Sequence, residues 1–174
     1  VAQAQVAGVD ASAKAAASGY SAQPQVRVAL PQAVHIINFD GVSAPSLFSQ
    51  TSALASVGTI KFNGSSAFVN DGGAILNSGS NFAVTGFSAP NFLAFNCSAT
   101  MSNGGKPSVP EIITFPKVVK NVSFRVGSGL AVGKSIKAFG IGPGGVQPKS
   151  ITLTAALQTL SFSKPMKELL ITSE

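Results

Sequence analysis

The stretch Glu111-Ile112-Ile113-Thr114-Phe115-Pro116-Lys117-Val118-Val119-Lys120-Asn121-Val122-Ser123-Phe124-Arg125-Val126 decides the fold class. It reads as two strands, Glu111–Phe115 and Val118–Val126, on either side of Pro116. In the second, Val122, Phe124 and Val126 alternate with Asn121, Ser123 and Arg125, the two-residue period of a half-buried strand. Short runs of the same kind recur on both sides. They lie near Val34–Asp40, Thr59–Asn63, Ala67–Asn70, Ala74–Leu76, Phe82–Val84 and Phe92–Asn96, then Ser135–Phe139, Ser150–Thr154, Gln158–Phe162 and Glu168–Thr172. Turn chemistry separates them: Asp40-Gly41, Asn63-Gly64, Asn70-Asp71-Gly72-Gly73, Asn103-Gly104-Gly105, the glycine run Gly140–Gly145, and Lys164-Pro165. Pro45–Leu54 is the one place read as a helical turn. Many short strands at regular spacing make an all-β domain, a sandwich or a barrel.

Composition narrows the function classes. The chain of 174 residues has one His, one Cys, no Trp and six carboxylates, a sparse inventory for acid–base, nucleophilic or transition-metal chemistry, so an enzyme is not expected. Charged residues are 10% of the chain, against about 25% in an average soluble protein. A surface of Ser, Thr, Asn and Gln must therefore meet the solvent. The long uncharged stretch between Asp71 and Lys106 is broken by Gly, Ser, Asn and Pro, so no membrane-spanning helix is expected. The net charge is +6, but the lysines are scattered and only Arg27 and Arg125 are arginines, which does not make a nucleic-acid footprint. Cys97 cannot form a disulfide within the chain and reads as a buried strand thiol. The sequence starts at Val1 rather than Met, and an upstream export signal is expected to have been removed, which places the protein outside the cell or on its surface.

Five segments carry a resemblance. They are Ile37-Asn38-Phe39-Asp40-Gly41, Ser88-Ala89-Pro90-Asn91-Phe92-Leu93-Ala94-Phe95-Asn96, Glu111-Ile112-Ile113-Thr114-Phe115-Pro116, Val119–Gly127 and Lys167-Glu168-Leu169-Leu170-Ile171-Thr172. In this order they resemble the jelly-roll β-sandwiches of secreted bacterial carbohydrate-binding-like domains, over residues 34–174. The resemblance implies a jelly-roll-like antiparallel β-sandwich and a glycan partner. Sugar-binding members of that group stack Trp and Tyr on pyranose rings, whereas this chain has no Trp, and its only Tyr is Tyr20.

Individual sites have two readings each. Asn70-Asp71-Gly72-Gly73 offers oxygen ligands for a structural calcium, with Asp40 or Glu174 as a second carboxylate, or is simply a tight turn. Gly140–Gly145 lacks the Lys-Ser/Thr ending of a phosphate loop and reads as a hairpin tip. His35 lies in an alternating strand and reads as structural. Asn63-Gly64-Ser65 fits the N-glycosylation pattern in an expected exposed turn, whereas Asn96 and Asn121 fall in expected strands.

Residues 1–33 form an N-terminal extension to the sandwich domain of residues 34–174. Residues 1–23 are rich in Ala, Ser and Gln and read as a disordered leader. At 24–31, Val26, Val28 and Leu30 alternate with polar or small residues, and Pro31 follows. This segment is either an ordinary first strand or a donor strand that completes the sheet of a neighbouring copy. Head-to-tail donation yields filaments. The expected function is a structural subunit of an extracellular filament or surface layer, a homopolymer; the alternative is a secreted carbohydrate-binding module.

Overall fold

The structure is a computed structural model, and it describes residues 2–7, 34–55, 57–64, 71–77, 83–88, 90–94 and 110–173. Among these the regular elements are all strands: β1 (Ala2–Ala7), β2 (Val34–Ile37), β3 (Ser46–Phe48), β4 (Gln50–Ala55), β5 (Gly58–Asn63) and β6 (Gly73–Asn77), then β7 (Asn91–Ala94), β8 (Glu111–Val126), β9 (Ser135–Gly142), β10 (Gly145–Thr152), β11 (Gln158–Phe162) and β12 (Met166–Ser173). Every pairing between them is antiparallel. They form two sheets packed as a sandwich, the all-β architecture that the alternating pattern implies.

β8 belongs to both sheets. The two strands read on either side of Pro116 are one 16-residue strand. Its first part, Glu111–Thr114, lies between β12 and β5, in a sheet of order β10–β9–β12–β8–β5–β4. Its last part, Lys120–Val126, lies between β11 and β1 in the other sheet. There the order runs β11–β8–β1, with the far edge of β1 shared by β2 and β7, and continues β7–β6–β3. The corner falls at exposed Pro116, Lys117 and Val118. It is followed by Asn121, whose φ is 54° and which β1 skips by pairing Val6 with Val122 and Ala7 with Lys120. This extra residue is a β-bulge, the usual means of bending a strand from one sheet to another. β11 and β12 follow β8 around the corner, one in each sheet.

The core lies between the sheets. Phe62, Ile113, Phe115, Val122, Phe124, Phe162 and Leu169 are all fully buried there with Ile37, Phe39, Ile75 and Leu93. Phe39 meets Phe62 edge-on at 5.3 Å, and Phe124 stacks parallel to Phe162 at 6.2 Å. Each such ring removed from water contributes roughly 1.5–3 kcal/mol. A smaller cluster covers the opposite face of β6 and β7, where Ala74, Leu76, Phe92 and Ala94 pack with Val84, Phe87 and Leu157. The Thr85 N–H to Ala155 O and Leu157 N–H to Thr85 O hydrogen bonds pin this cover down.

Several local expectations change. The disordered leader is corrected over Ala2–Ala7, which is a strand between β8 and β2. Its pattern, Ala2, Ala4 and Val6 alternating with Gln3 and Gln5, has the strand period but weak strand formers. Pro45–Leu54 holds β3 and most of β4 rather than a helical turn, because Phe48 and Ala55 find the core and long-range pairing overrides local propensity. Ala83 and Val84 lie in a turn, with Ala83 at φ 52°, and not in a strand. The Gly140–Gly145 run does close a hairpin: Gly142 pairs with Gly145 around Pro143-Gly144, and Gly145 takes φ 82°, as a type I turn with a following left-handed glycine requires. The expected donor segment at 24–31, with Val26, Val28 and Leu30, lies outside the described residues, as do Ala67–Asn70, Cys97 and Glu174.

Candidate functional site

The register places a carboxylate pair inside the sandwich. Asn63 pairs with Ile112, so the next position along each strand sets Gly64 opposite Glu111. Directly opposed residues share a face of the sheet. Glu111 follows the inward alternation of Ile113 and Phe115 and is 2% exposed. On the same face, the space a side chain at Gly64 would need is filled by the backbone and carboxyl carbon of Asp71. Asp71 is also 2% exposed and leads, through Gly72, into β6 of the other sheet. The two carboxyl groups thus meet where β5 and β8 of one sheet face β6 of the other.

Their electrostatics are adverse. Oε1 of Glu111 is buried with no hydrogen-bond partner. Burial first, and the charge of Asp71 second, push the Glu111 carboxyl well above its ordinary 4.5. Such a pair can share a proton or hold a hard cation between its oxygens. At 2% exposure it offers no opening to a substrate. Among the described residues no group of three or more His, Cys, Asp and Glu side chains gathers as a metal site.

Asp40, also read as a calcium ligand, has a structural task. Its Oδ1 accepts the backbone N–H of Asn91 at 3.3 Å. The buried Asn91 amide donates to Phe39 O at 3.0 Å and Val42 O at 2.6 Å. The Asn91 side chain at the start of β7 therefore anchors the Phe39–Val42 turn, which its own Val42 N–H to Phe39 O hydrogen bond closes at 3.0 Å. Asn63, expected in an exposed turn, is instead the last residue of β5, half-buried and paired with Gln50 on one side and Ile112 on the other. Of the two glycosylation patterns whose asparagine is described, the exposed one is Asn121, at the bulge; Asn96 lies outside the described residues.

A second feature lies on the outer face of the β10–β9–β12–β8–β5–β4 sheet. The pairings align one row across all six strands, Pro148–Phe139–Leu170–Ile112–Asn63–Gln50. At its β9–β10 end a shallow cavity of about 270 Å³ is lined by Lys137, Phe139, Pro148, Lys149 and Ser150. Lys149 also lines a neighbouring cavity of about 260 Å³ with Asn121, Ser123, Gln147, Ser161 and Ser163. The lining combines a half-exposed ring, hydroxyls, amides and two cations. The sequence does not mark this face, because a phenylalanine in an alternating run carries no sign of which side will be covered.

Comparison with protein-family models, curated proteins and solved structures finds no match to this chain. No described helix is long and apolar enough to cross a membrane.

Proposed function

We propose that this chain is a structural subunit of an extracellular filament or surface layer, assembled by donation of an N-terminal strand to a neighbouring copy. The observation that carries this reading is the position of β1. Residues Ala2–Ala7 fill the middle of a sheet, paired with Lys120–Val126 of β8 on one edge and with Val34–Ile37 of β2 on the other. Without β1 the sheet divides and both edges are bare, which is unstable and adhesive. The same ladder closes whether β1 comes from its own chain or from a neighbour. Residues 8–33 separate β1 from β2, a length of chain that spans up to ~90 Å when extended. The sparse reactive chemistry and the low charge agree with a packing role. The donated strand is then Ala2–Ala7. The test is electron microscopy of the full chain beside a variant lacking residues 1–33. Filaments from the full chain alone support the reading, and dispersed monomers from both overturn it.

The alternative, a secreted carbohydrate-binding module, draws support from the Phe139 cavity. Phe139 supplies a flat apolar surface, and Lys137, Lys149 and Ser150 supply hydrogen bonds. Glycan-array binding by the monomer that is lost in Phe139→Ala would favour it over assembly.

A further inference from the structure

The edge strands β10 and β11 come together at one rim of the sandwich, where polar side chains from three strands gather. Gln147 and Lys149 pair with Gly140 and Ala138 and so lie on the core side of β10. β10 is the last strand of its sheet, and these side chains reach the rim, Gln147 half-buried and Lys149 exposed. β8 contributes Asn121 and Ser123, β11 contributes Ser161 directly opposite Ser123, and Ser163 follows β11. Together they line the cavity of about 260 Å³. Two hydrogen bonds hold its walls: Gly144 N–H donates to Pro165 O at 3.3 Å, and Lys164 N–H to Gln147 Oε1 at 3.2 Å. The second also aims the Gln147 amide. With its oxygen turned to Lys164, its N–H2 group faces the other way as a donor.

We infer that this cavity binds a phosphate group. Its charge has a single sign. Every described lysine and arginine is exposed, whereas Asp71 and Glu111 are buried and Asp40 and Glu168 half-buried, and none of these carboxylates lines the cavity. Glu168, through Ile141, aligns with Val146 on the face of β10 opposite Lys149. Exposed Lys164, next to Ser163, adds a second cation at the border. A cation set among neutral donors selects an oxyanion, and the bonds it makes are charge-assisted. Phosphate presents oxygens on all sides and matches donors that come from three strands: Lys149 Nζ, the Gln147 N–H2 group and the hydroxyls of Ser123, Ser161 and Ser163. A carboxylate offers two oxygens in one plane and leaves part of this set unused. The same chemistry serves free phosphate and phosphate carried on a polymer. The inference is independent of strand donation, since no lining residue lies in β1 or β2. It is also distinct from the glycan reading: Lys149 borders both cavities, but Phe139 borders only one.

Equilibrium dialysis of the full chain against radiolabelled inorganic phosphate tests this, because it works whether or not the chain assembles. The expected result is saturable binding of one phosphate per chain. Lys149→Gln weakens it by about tenfold or more, the loss of one charge-assisted bond. Neutralising an edge lysine can promote strand pairing, so Ser161→Asp is the second variant. Ser161 is exposed, and the new carboxylate repels the anion while the core is untouched. Phe139→Ala and Lys134→Gln, both outside the cavity, bind as the wild type does. Long-chain polyphosphate then competes with the label. Displacement at about tenfold lower phosphate concentration assigns the site to a polymer, and displacement at equal concentration assigns it to the free group. Absence of saturable binding overturns the inference, and so does unweakened binding in both Lys149→Gln and Ser161→Asp. An equal loss in Lys134→Gln overturns it too, because it reports the general attraction of a basic surface.

Discussion

Asp71 occupies the space that a side chain at Gly64 would require, on the face of the sheet from which Glu111 points into the core. A methyl group at Gly64 meets backbone as well as the Asp71 carboxyl carbon, so neither neighbour can swing aside. Gly64→Ala is therefore expected to destabilise the fold by about 1–3 kcal/mol, the usual cost of overpacking a fixed site. Urea denaturation of the variant against wild type checks this. An unchanged midpoint would mean that the turn after β5 relaxes freely.

The Glu111 carboxyl sets a pH dependence of stability. Its folded pKa is raised by burial and by Asp71. The folded chain therefore keeps a proton that the unfolded chain releases near its ordinary value of 4.5. Below that pH both states are protonated and no penalty exists. As pH rises from there towards the folded pKa, the unfolded state gains by ionising and stability falls. Chemical denaturation across pH 4 to 8 is expected to show this decline in the wild type and a flatter profile in Glu111→Gln.

Asn91 holds the Phe39–Val42 turn by two side-chain hydrogen bonds, of 3.0 and 2.6 Å. Asn91→Ala removes both bonds and leaves Val42 O without its amide donor, while Phe39 O keeps the Val42 N–H; the cost should be about 1–3 kcal/mol. Asp40→Ala removes only an acceptor for the Asn91 backbone N–H and should cost about 1 kcal/mol. Chemical denaturation of both variants gives the ratio. Equal losses would refute the assignment of the turn to Asn91.

Strand donation has a covalent test in the register. Gln3 pairs with Arg125 across β1 and β8, close enough for a disulfide between facing strands. In a Cys97→Ser background, Gln3→Cys with Arg125→Cys should form bonds between chains, giving a ladder of oligomers on a non-reducing gel. Bonds formed only within single chains would mean that β1 completes its own sheet.

Much of the fold was legible because it rests on local alternation. Ile136 and Ala138 flank Lys137 in β9, Leu160 and Phe162 flank Ser161 in β11, and each of the four apolar residues becomes core. β1 was not legible, since alternating Ala and Gln carries little apolar contrast. Asp71 was singled out from its turn, Asn70-Asp71-Gly72-Gly73, but its neighbour was not. A glutamate opening a strand reads as a solvated end, and Glu111 stands 40 positions away in the chain. The outward face of Phe139 was not legible, because a phenylalanine in an alternating run has no mark of its own to say which face will be covered.

By itself the sequence determined the class of structure: the two-residue period and the turn residues leave an antiparallel β protein as the way to bury these phenylalanines. Only the tertiary structure decided that β8 turns its corner at Pro116–Val118 to serve both sheets, that Ala2–Ala7 fills the centre of one of them, and that Asp71 lies beside Glu111. The reason is physical. Periodicity is local, within reach of neighbouring residues, whereas the juxtaposition of two buried charges depends on which strands pair and in what register, and that follows from the packing of the whole core.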